Sequence, residues 1–112
     1  MLIYKIFRRA EWDAFRQAGR SDGAPVDLAD GYIHLSTAEQ VTGTAALHFA
    51  GQSDLVLVAL SVAALGDALK WEPSRGGALF PHLYRPLVIG DVVWDKSLPL
   101  GATGHIFPEG VV

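Results

Sequence analysis

The chain has 112 residues, of which half are hydrophobic, and it carries a formal net charge of −3 and no cysteine. This length fits one domain over residues 1–112, and a domain of this size buries a core without covalent crosslinks. The lack of cysteine excludes a disulfide framework, a thiolate nucleophile and a Cys-based zinc site. The lack of a basic block argues against nucleic-acid binding.

The N-terminal residues do not have the pattern of a secretory signal, because basic residues follow the short apolar run of "MLIYKIFRRAEW" instead of preceding it. The longest strongly apolar run, residues 55–65, is far shorter than the roughly 20 residues that cross a bilayer. We therefore expect a soluble, cytoplasmic protein with no membrane partner.

The first residues predict a strand, a helix and a loop. Residues 2–7 are rich in β-branched and aromatic side chains, which is typical of a strand. Residues 10–19 predict a short helix with Trp12 and Phe15 on one face. Residues 20–31 are rich in Gly, Pro and Asp and predict a mobile loop.

A short strand and the main helix follow. The segment "GYIHLS", residues 31–36, alternates apolar with polar side chains, as a half-buried strand does. Residues 36–51 predict a helix that starts at Ser36, since Ser36 and Glu39 have the spacing of a capping box, and ends at Gly51.

The second half of the chain predicts strands. Residues 54–61 are apolar enough for a central strand buried on both faces. Shorter extended segments are predicted at 68–73 and 78–87, within 90–100, and at 105–108. Because strands outnumber helices and the helices come early, the pattern predicts an α+β fold instead of alternating βαβ units.

Polar side chains two residues apart recur on three of these extended segments. The pairs are His34 with Ser36, Lys70 with Glu72, and His82 with Tyr84. Side chains alternate across a strand, so the apolar neighbours of each pair point the other way. If those apolar sides face one core, the polar sides line one cleft. Two imidazoles, a phenol, an ammonium and a carboxylate in one cleft can bind an anionic or nucleotide-like ligand, or transfer protons near neutral pH.

Each polar residue also has a purely structural interpretation. A hydroxyl at Ser36 suits a helix N-cap, and His34 can hydrogen-bond a loop backbone. Lys70 and Glu72 fit a solvated face, while the remaining pair can fix a loop. The other histidines, His48 and His105, are not expected in the site.

The sequence lacks the motifs that are typical of metalloenzymes and serine hydrolases. There is no HExxH motif, so a metal site would need His34, Glu72 and His82 to converge from distant segments. Ser36 lacks the nucleophile elbow of a Ser-His-Asp hydrolase, and no phosphate-binding Gly-rich motif is present.

Three motifs together resemble the bacterial domain-of-unknown-function 952 family. They are "GYIHLSTAEQV", "LKWEP" and "FPHLYRPL", in this order, and the resemblance extends from residue 3 to about residue 94. Members usually have a G-F/Y-I-H-x-S/T segment, a K-x-E pair and an F-P-H-x-Y-x-P-L segment. Arg85 stands where the family often has Gly, and a charged side chain there would narrow the mouth of a site or contact an anion.

The resemblance implies a fold similar to that of the ADP-ribosyltransferases. Such a fold has two small, mostly antiparallel sheets, one main helix, one or two short helices, and a cleft between the sheets. The segment "IHLS" is also similar to part of the RNA 2′-phosphotransferases, which use NAD. By this resemblance His34 would hold the NAD ribose, and Tyr84 is a candidate to stack on nicotinamide. Glu109 comes late in the chain, as the catalytic Glu of related toxins does, but lacks their motif context.

The leading hypothesis is a protein that binds a small anionic or nucleotide-type ligand, with NAD as a candidate ligand and ADP-ribosyl or phosphoryl transfer as a candidate activity. His34, Glu72 and Tyr84 are the candidate catalytic residues. The candidate ligand contacts are Ser36, Lys70, His82 and Arg85. The rival hypothesis is a non-catalytic interaction or homodimerisation module in which these residues are structural.

Overall fold

A computed structural model describes residues 1–111, without the side chain of Arg75. The helices and strands follow one another as β1 (Leu2–Arg8), α1 (Arg9–Ala18), β2 (Arg20–Ser21), α2 (Pro25–Asp30), β3 (Ile33–His34), α3 (Ala38–His48), β4 (Leu55–Ser61), α4 (Val62–Leu65), β5 (Leu69–Pro73), β6 (Leu79–Leu83), β7 (Leu87–Val88), β8 (Val92–Leu98), β9 (Leu100–Gly101) and β10 (Gly104–His105). The architecture is mixed α and β, with small antiparallel sheets and short helices. No helix within residues 1–111 is long and apolar enough to cross a membrane.

Two antiparallel sheets dominate the described residues. The first has the strand order β1-β4-β8, and the second has the order β3-β6-β5. They meet where Tyr4 of β1 forms an isolated antiparallel bridge with Ser36, just after β3. The N–H of Tyr4 donates to the carbonyl of Ser36 at 2.7 Å, and the N–H of Ser36 donates back at 2.9 Å. The bridge places β1 beside the connection from β3 to α3.

Strand β4 forms the centre of the first sheet, as its apolar run predicts. Its first six residues, Leu55 to Leu60, are buried on alternating sides of the sheet. One side faces a core that contains Phe7 and, from α1, Trp12 and Phe15; the other faces a core that contains Val41 of α3. Fully burying one such side chain contributes about 1.5–3 kcal/mol, so these two cores hold α1 and α3 against the sheet.

Helix α1 agrees with its sequence pattern. Trp12 and Phe15 are both almost completely buried. The helix ends at Gly19, whose φ of 75° is a left-handed conformation that glycine adopts without strain.

The segment 20–31 is not the loop that its composition predicts. It contains β2 and the two-turn helix α2, which begins with Pro25 at its first position. The carboxylate of Asp27 accepts the N–H of Ala24 at 2.8 Å and so caps the start of this helix. Gly23 precedes the cap with a φ of 105°, and a Cβ there would lie 2.5 Å from the Cβ of Asp27. Glycine is therefore required at that position.

Other boundaries also differ from the sequence prediction. Helix α3 spans Ala38–His48 and is preceded by Thr37, so Ser36 and Glu39 do not form its capping box. The N–H of Thr37 instead donates to the side-chain oxygen of Gln40 at 3.1 Å. The last strand is Gly104–His105 and not residues 105–108.

Candidate functional site

The second sheet brings the three polar pairs toward one face. Its register places His34 of β3 opposite His82 of β6, and it places Lys70 of β5 opposite His82 on the other side. Ile33 and Leu83, which are adjacent in sequence to these two histidines, point to the opposite face and into the core that contains Phe7. The two imidazole rings lie edge to face, with centroids 5.5 Å apart.

His34 is held by a carboxylate on α2. Its ring Nδ1 lies 2.6 Å from Oδ1 of Asp27, and its backbone N–H donates to the same oxygen at 3.0 Å. The side chain of Asp27 is fully buried, and its other oxygen lies 3.0 Å from Nζ of Lys5, itself only 8% exposed. Because Lys5 lies on β1, this ion pair ties the first sheet to α2 and positions the ring on β3.

The pKa of Asp27 is lowered, although burial alone would raise it. The charge of Lys5 and the hydrogen bonds from His34 and Ala24 together outweigh the cost of burying the carboxylate. Asp27 is therefore ionised at neutral pH and accepts hydrogen bonds without donating any.

The outer edge of the His34 ring faces a second carboxylate. Its Nε2 lies 2.9 Å from Oδ2 of Asp30, and the His34 side chain is 32% exposed. A doubly protonated imidazole can donate to Asp27 and Asp30 at the same time, whereas a neutral ring donates to one of them. The two contacts fix the orientation of the ring, which remains partly exposed.

A second carboxylate–imidazole pair lies on the same sheet. Oε1 of Glu72 is 2.8 Å from Nδ1 of His82 and accepts the hydroxyl proton of Tyr84 at 2.7 Å. These hydrogen bonds, from Tyr84 first and then from His82, lower the pKa of Glu72. The hydrogen bond to Glu72 in turn raises the pKa of Tyr84 to about 12. Tyr84 therefore remains a protonated donor at neutral pH.

Tyr32 joins the two carboxylate–imidazole pairs. Its ring stacks on His82 with centroids 4.1 Å apart, and it contacts the rings of His34 and Tyr84 at 4.7 and 5.3 Å. Burial raises its pKa, with further contributions from Asp30 and Glu72. The four rings form one aromatic cluster on the polar face of the sheet.

A cleft of ≈ 980 Å³ opens beside this cluster, within the range of volumes typical of small-molecule sites. Both imidazoles line it, as do Ser36 and Thr44. Its walls also contain apolar side chains from β1, α2, α3 and β6 and from the residues that follow β3 and α3, namely Tyr4, Ile6, Pro25, Val26, Leu35, Val41, Leu47, Phe49 and Phe80. Residues of both sheets and of α2 and α3 thus line the same cleft.

The remaining sequence-derived candidates occupy different positions. The hydroxyl of Ser36 is buried and lies 2.8 Å from that of Thr44, so it faces the cleft but already has a partner. Lys70 is exposed on β5 and does not line the cleft, and neither of the candidate catalytic residues Glu72 and Tyr84 lines it. Arg85 does not line the cleft: its guanidinium forms two hydrogen bonds with the carboxylate of Asp91, at 2.8 and 3.0 Å.

The two other histidines of the chain lie apart from His34 and His82. His48 lines the cleft wall on α3, which the sequence did not predict. His105 lies elsewhere, and its Nε2 contacts the carbonyl oxygen of Gln52 at 2.8 Å. Among residues 1–111, no three His, Asp or Glu side chains are placed to hold a metal ion together.

Four site residues were missed by the sequence analysis: Lys5, Asp27, Asp30 and Tyr32. Lys5 gave one sequence indication, because it interrupts an otherwise apolar strand. Tyr32 shares the alternation of "GYIHLS" that placed His34 on the polar face. Asp27 and Asp30 lie in a segment whose composition predicted only turns, and nothing local in that segment reveals that Asp27 is buried.

Comparison with known proteins identifies the family of the chain. A family model described as "Protein of unknown function (DUF952)" matches residues 6–95. The crystal structure of protein CC0527 from Caulobacter crescentus superposes with a TM-score of 0.90 at 57% identity, covering 94% of this chain and 92% of that one. The solution NMR structure of CC0527 gives a TM-score of 0.84 at 58% identity, with 93% and 90% covered. No curated protein matches the chain. The chain is a member of the DUF952 family of proteins of unknown function.

Proposed function

We propose that this protein binds a small nucleotide-type ligand in the cleft and holds a hydroxyl or phosphate oxygen of that ligand at His34. The main support is the pairing of His34 with Asp27. A fully buried, ionised carboxylate fixes the ring through Nδ1, the side chain of His34 is 32% exposed, and its Nε2 contacts the partly exposed carboxylate of Asp30, for which a ligand can substitute. This arrangement suits an imidazole that exchanges a proton or a hydrogen bond with a ligand.

The proposal also includes a specific reaction, the transfer of an ADP-ribosyl or phosphoryl group. An ADP-ribosyltransferase-like fold would place NAD between the two small sheets, with the ribose at His34. Tyr84 does not line the cleft, and its hydroxyl donates to Glu72 at 2.7 Å, so it would stack on, or release that proton to, a part of the ligand that extends out of the cleft past His82. Glu72 would orient an attacking hydroxyl, which its lowered pKa and ionised state support.

A thermal-shift screen against NAD, ADP-ribose and other nucleotides tests the proposal. The wild-type protein should gain stability with one ligand class, because a ligand that binds only the folded state raises the melting temperature. His34→Gln should lose that gain. His105→Gln is the matched control, since His105 lies outside the cleft, and it should keep the gain. The proposal is wrong if no nucleotide shifts the wild type, or if His34→Gln responds as the wild type does.

A second candidate is a non-catalytic interaction module with structural His and Tyr residues. One observation favours it: His34, His82, Glu72 and Tyr84 all have partners inside the chain. Within residues 1–111, moreover, no buried side-chain nitrogen or oxygen lacks a hydrogen-bond partner. For such a module, His34→Gln would lower the melting temperature and no nucleotide would raise it. Sedimentation of the wild type would then test for a homodimer.

A further inference from the structure

We propose that the cleft recognises an uncharged aromatic group bearing hydroxyls, as in a nucleoside, and does not recognise phosphate. This inference rests on the proposed function and specifies which part of a nucleotide-type ligand enters the cleft. Three features of the cleft lead to it: its apolar walls, the pairing of its cations, and its hydroxyl-binding groups.

The walls expose large apolar side chains to the cleft. Val26 on α2 is 56% exposed and Leu47 on α3 is 59% exposed, and both line the cleft. Aromatic rings from Tyr4, Phe49 and Phe80 contribute to the same walls. A flat apolar ring between these walls would remove their surface from water, which favours binding by about 25 cal/mol per Å².

The cations of the cleft are already neutralised. Lys5 pairs with Asp27 at 3.0 Å, and Arg8 pairs with Glu11 at 3.6 Å. Among the lining side chains that the structure describes, every lysine and arginine thus has a carboxylate partner, and Asp30 adds a further negative charge. An incoming phosphate would have to compete with these carboxylates for Lys5 and Arg8, and with Asp30 for the outer edge of the His34 ring.

The polar groups that remain suit hydroxyls. The carboxylate of Asp30 is 45% exposed and can accept a hydrogen bond, and it lies against the outer edge of the His34 ring. The hydroxyls of Ser36 and Thr44 form a donor–acceptor pair on the cleft wall. The Thr44 hydroxyl donates to the carbonyl of Gln40 at 3.2 Å, so the Ser36 hydroxyl donates to Thr44. The free capacity of this set is therefore to accept, and a sugar-like group with neighbouring hydroxyls would donate to it.

Calorimetric titration with NAD, the four common ribonucleosides and inorganic pyrophosphate tests the inference. We expect at least one nucleoside to bind within about tenfold of the affinity for NAD, which is 1.4 kcal/mol, and pyrophosphate not to bind. Binding of pyrophosphate, or binding of NAD without any nucleoside, would overturn the inference and leave the proposed function standing. If neither NAD nor a nucleoside bound, both would be wrong.

Matched variants of the cleft wall give a second, independent test. Val26→Asn should weaken nucleoside binding by about three- to tenfold, because it removes apolar contact area from the wall. Leu28→Asn is the control: Leu28 lies on the same helix and is 63% exposed, but it does not line the cleft. Equal effects of the two substitutions would show that the apolar wall does not contact the ligand, and the inference would be wrong.

Discussion

The two carboxylate–imidazole pairs of the second sheet have similar distances but different surroundings. Nδ1 of His34 lies 2.6 Å from a carboxylate that is fully buried, and Nδ1 of His82 lies 2.8 Å from a carboxylate that is 39% exposed. The burial is reversed for the imidazoles: the His34 side chain is 32% exposed and that of His82 only 4%. In the first pair a buried charge supports an accessible ring, and in the second an accessible charge holds a buried ring.

Because of this difference, substitutions in the two pairs should have different effects on the stability of the protein. The charge of Asp27 is balanced by Lys5 away from water, so breaking that pair leaves an unpaired charge in a low-dielectric environment. The charge of Glu72 is solvated, so water replaces lost partners at little cost. We expect substitutions near His34 to change folding, and substitutions near Glu72 to change mainly the titration of its neighbours.

Asp27→Ala should give the largest effect. It leaves Lys5 buried without a partner, and we expect the free energy of unfolding to fall by about 3–5 kcal/mol. Denaturation in urea, with a two-state fit, measures this change. Adding Lys5→Met should recover part of the loss, because the stranded charge is removed. If the double variant were no more stable than Asp27→Ala, the two charges would not be coupled.

The loss of stability at acidic pH should also depend on Asp27. The folded-state pKa of Asp27 lies below its ordinary value of 3.8, so its contribution is fully present above about pH 4 and is lost as the pH falls through the lowered value. Melting temperatures recorded from neutral to acidic pH should therefore fall less steeply for Asp27→Asn than for the wild type. Glu72→Gln should change that slope less, because its carboxylate is exposed. The comparison between the pairs fails if Glu72→Gln flattens the curve more than Asp27→Asn does.

Glu72→Gln should give the smallest effect on stability but a clear effect on Tyr84. Without the carboxylate acceptor, the pKa of Tyr84 should fall from about 12 toward its ordinary value of 10.0. Ultraviolet titration of tyrosinate measures this shift, and Tyr84→Phe identifies which of the transitions belongs to Tyr84. An unchanged Tyr84 transition would mean that Glu72 does not hold its proton.

The sequence predicted those parts of the site that depend on local periodicity. The alternation in "GYIHLS" and "FPHLYRPL" placed His34 and His82 on polar faces, because side chains in a strand alternate with a period of two. The apolar run of β4 likewise predicted a strand buried on both faces. The adjacency of the two imidazoles was not, since it depends on β3 and β6 becoming neighbours in the sheet.

The residues that escaped prediction depend on contacts between distant segments. The composition around Asp27 indicates turns, and the cation that balances its buried carboxylate, Lys5, lies on a strand far away in the chain. Ser36 and Thr37 are adjacent hydroxyl residues, and either suits a helix N-cap. The backbone bridge of Ser36 to Tyr4 keeps it in extended structure, so the helix begins after Thr37. Local rules cannot choose between two such neighbours.

The bridge between Tyr4 and Ser36 also bears on how the molecule opens. It is an isolated pair of backbone hydrogen bonds between β1 and the residue that follows β3. Amide exchange at Ser36 and Tyr4 would therefore report whether the two sheets open together. Exchange at Ser36 as slow as at the amides of β4 would make the molecule one cooperative unit, whereas faster exchange would make the second sheet a separate unit of lower stability.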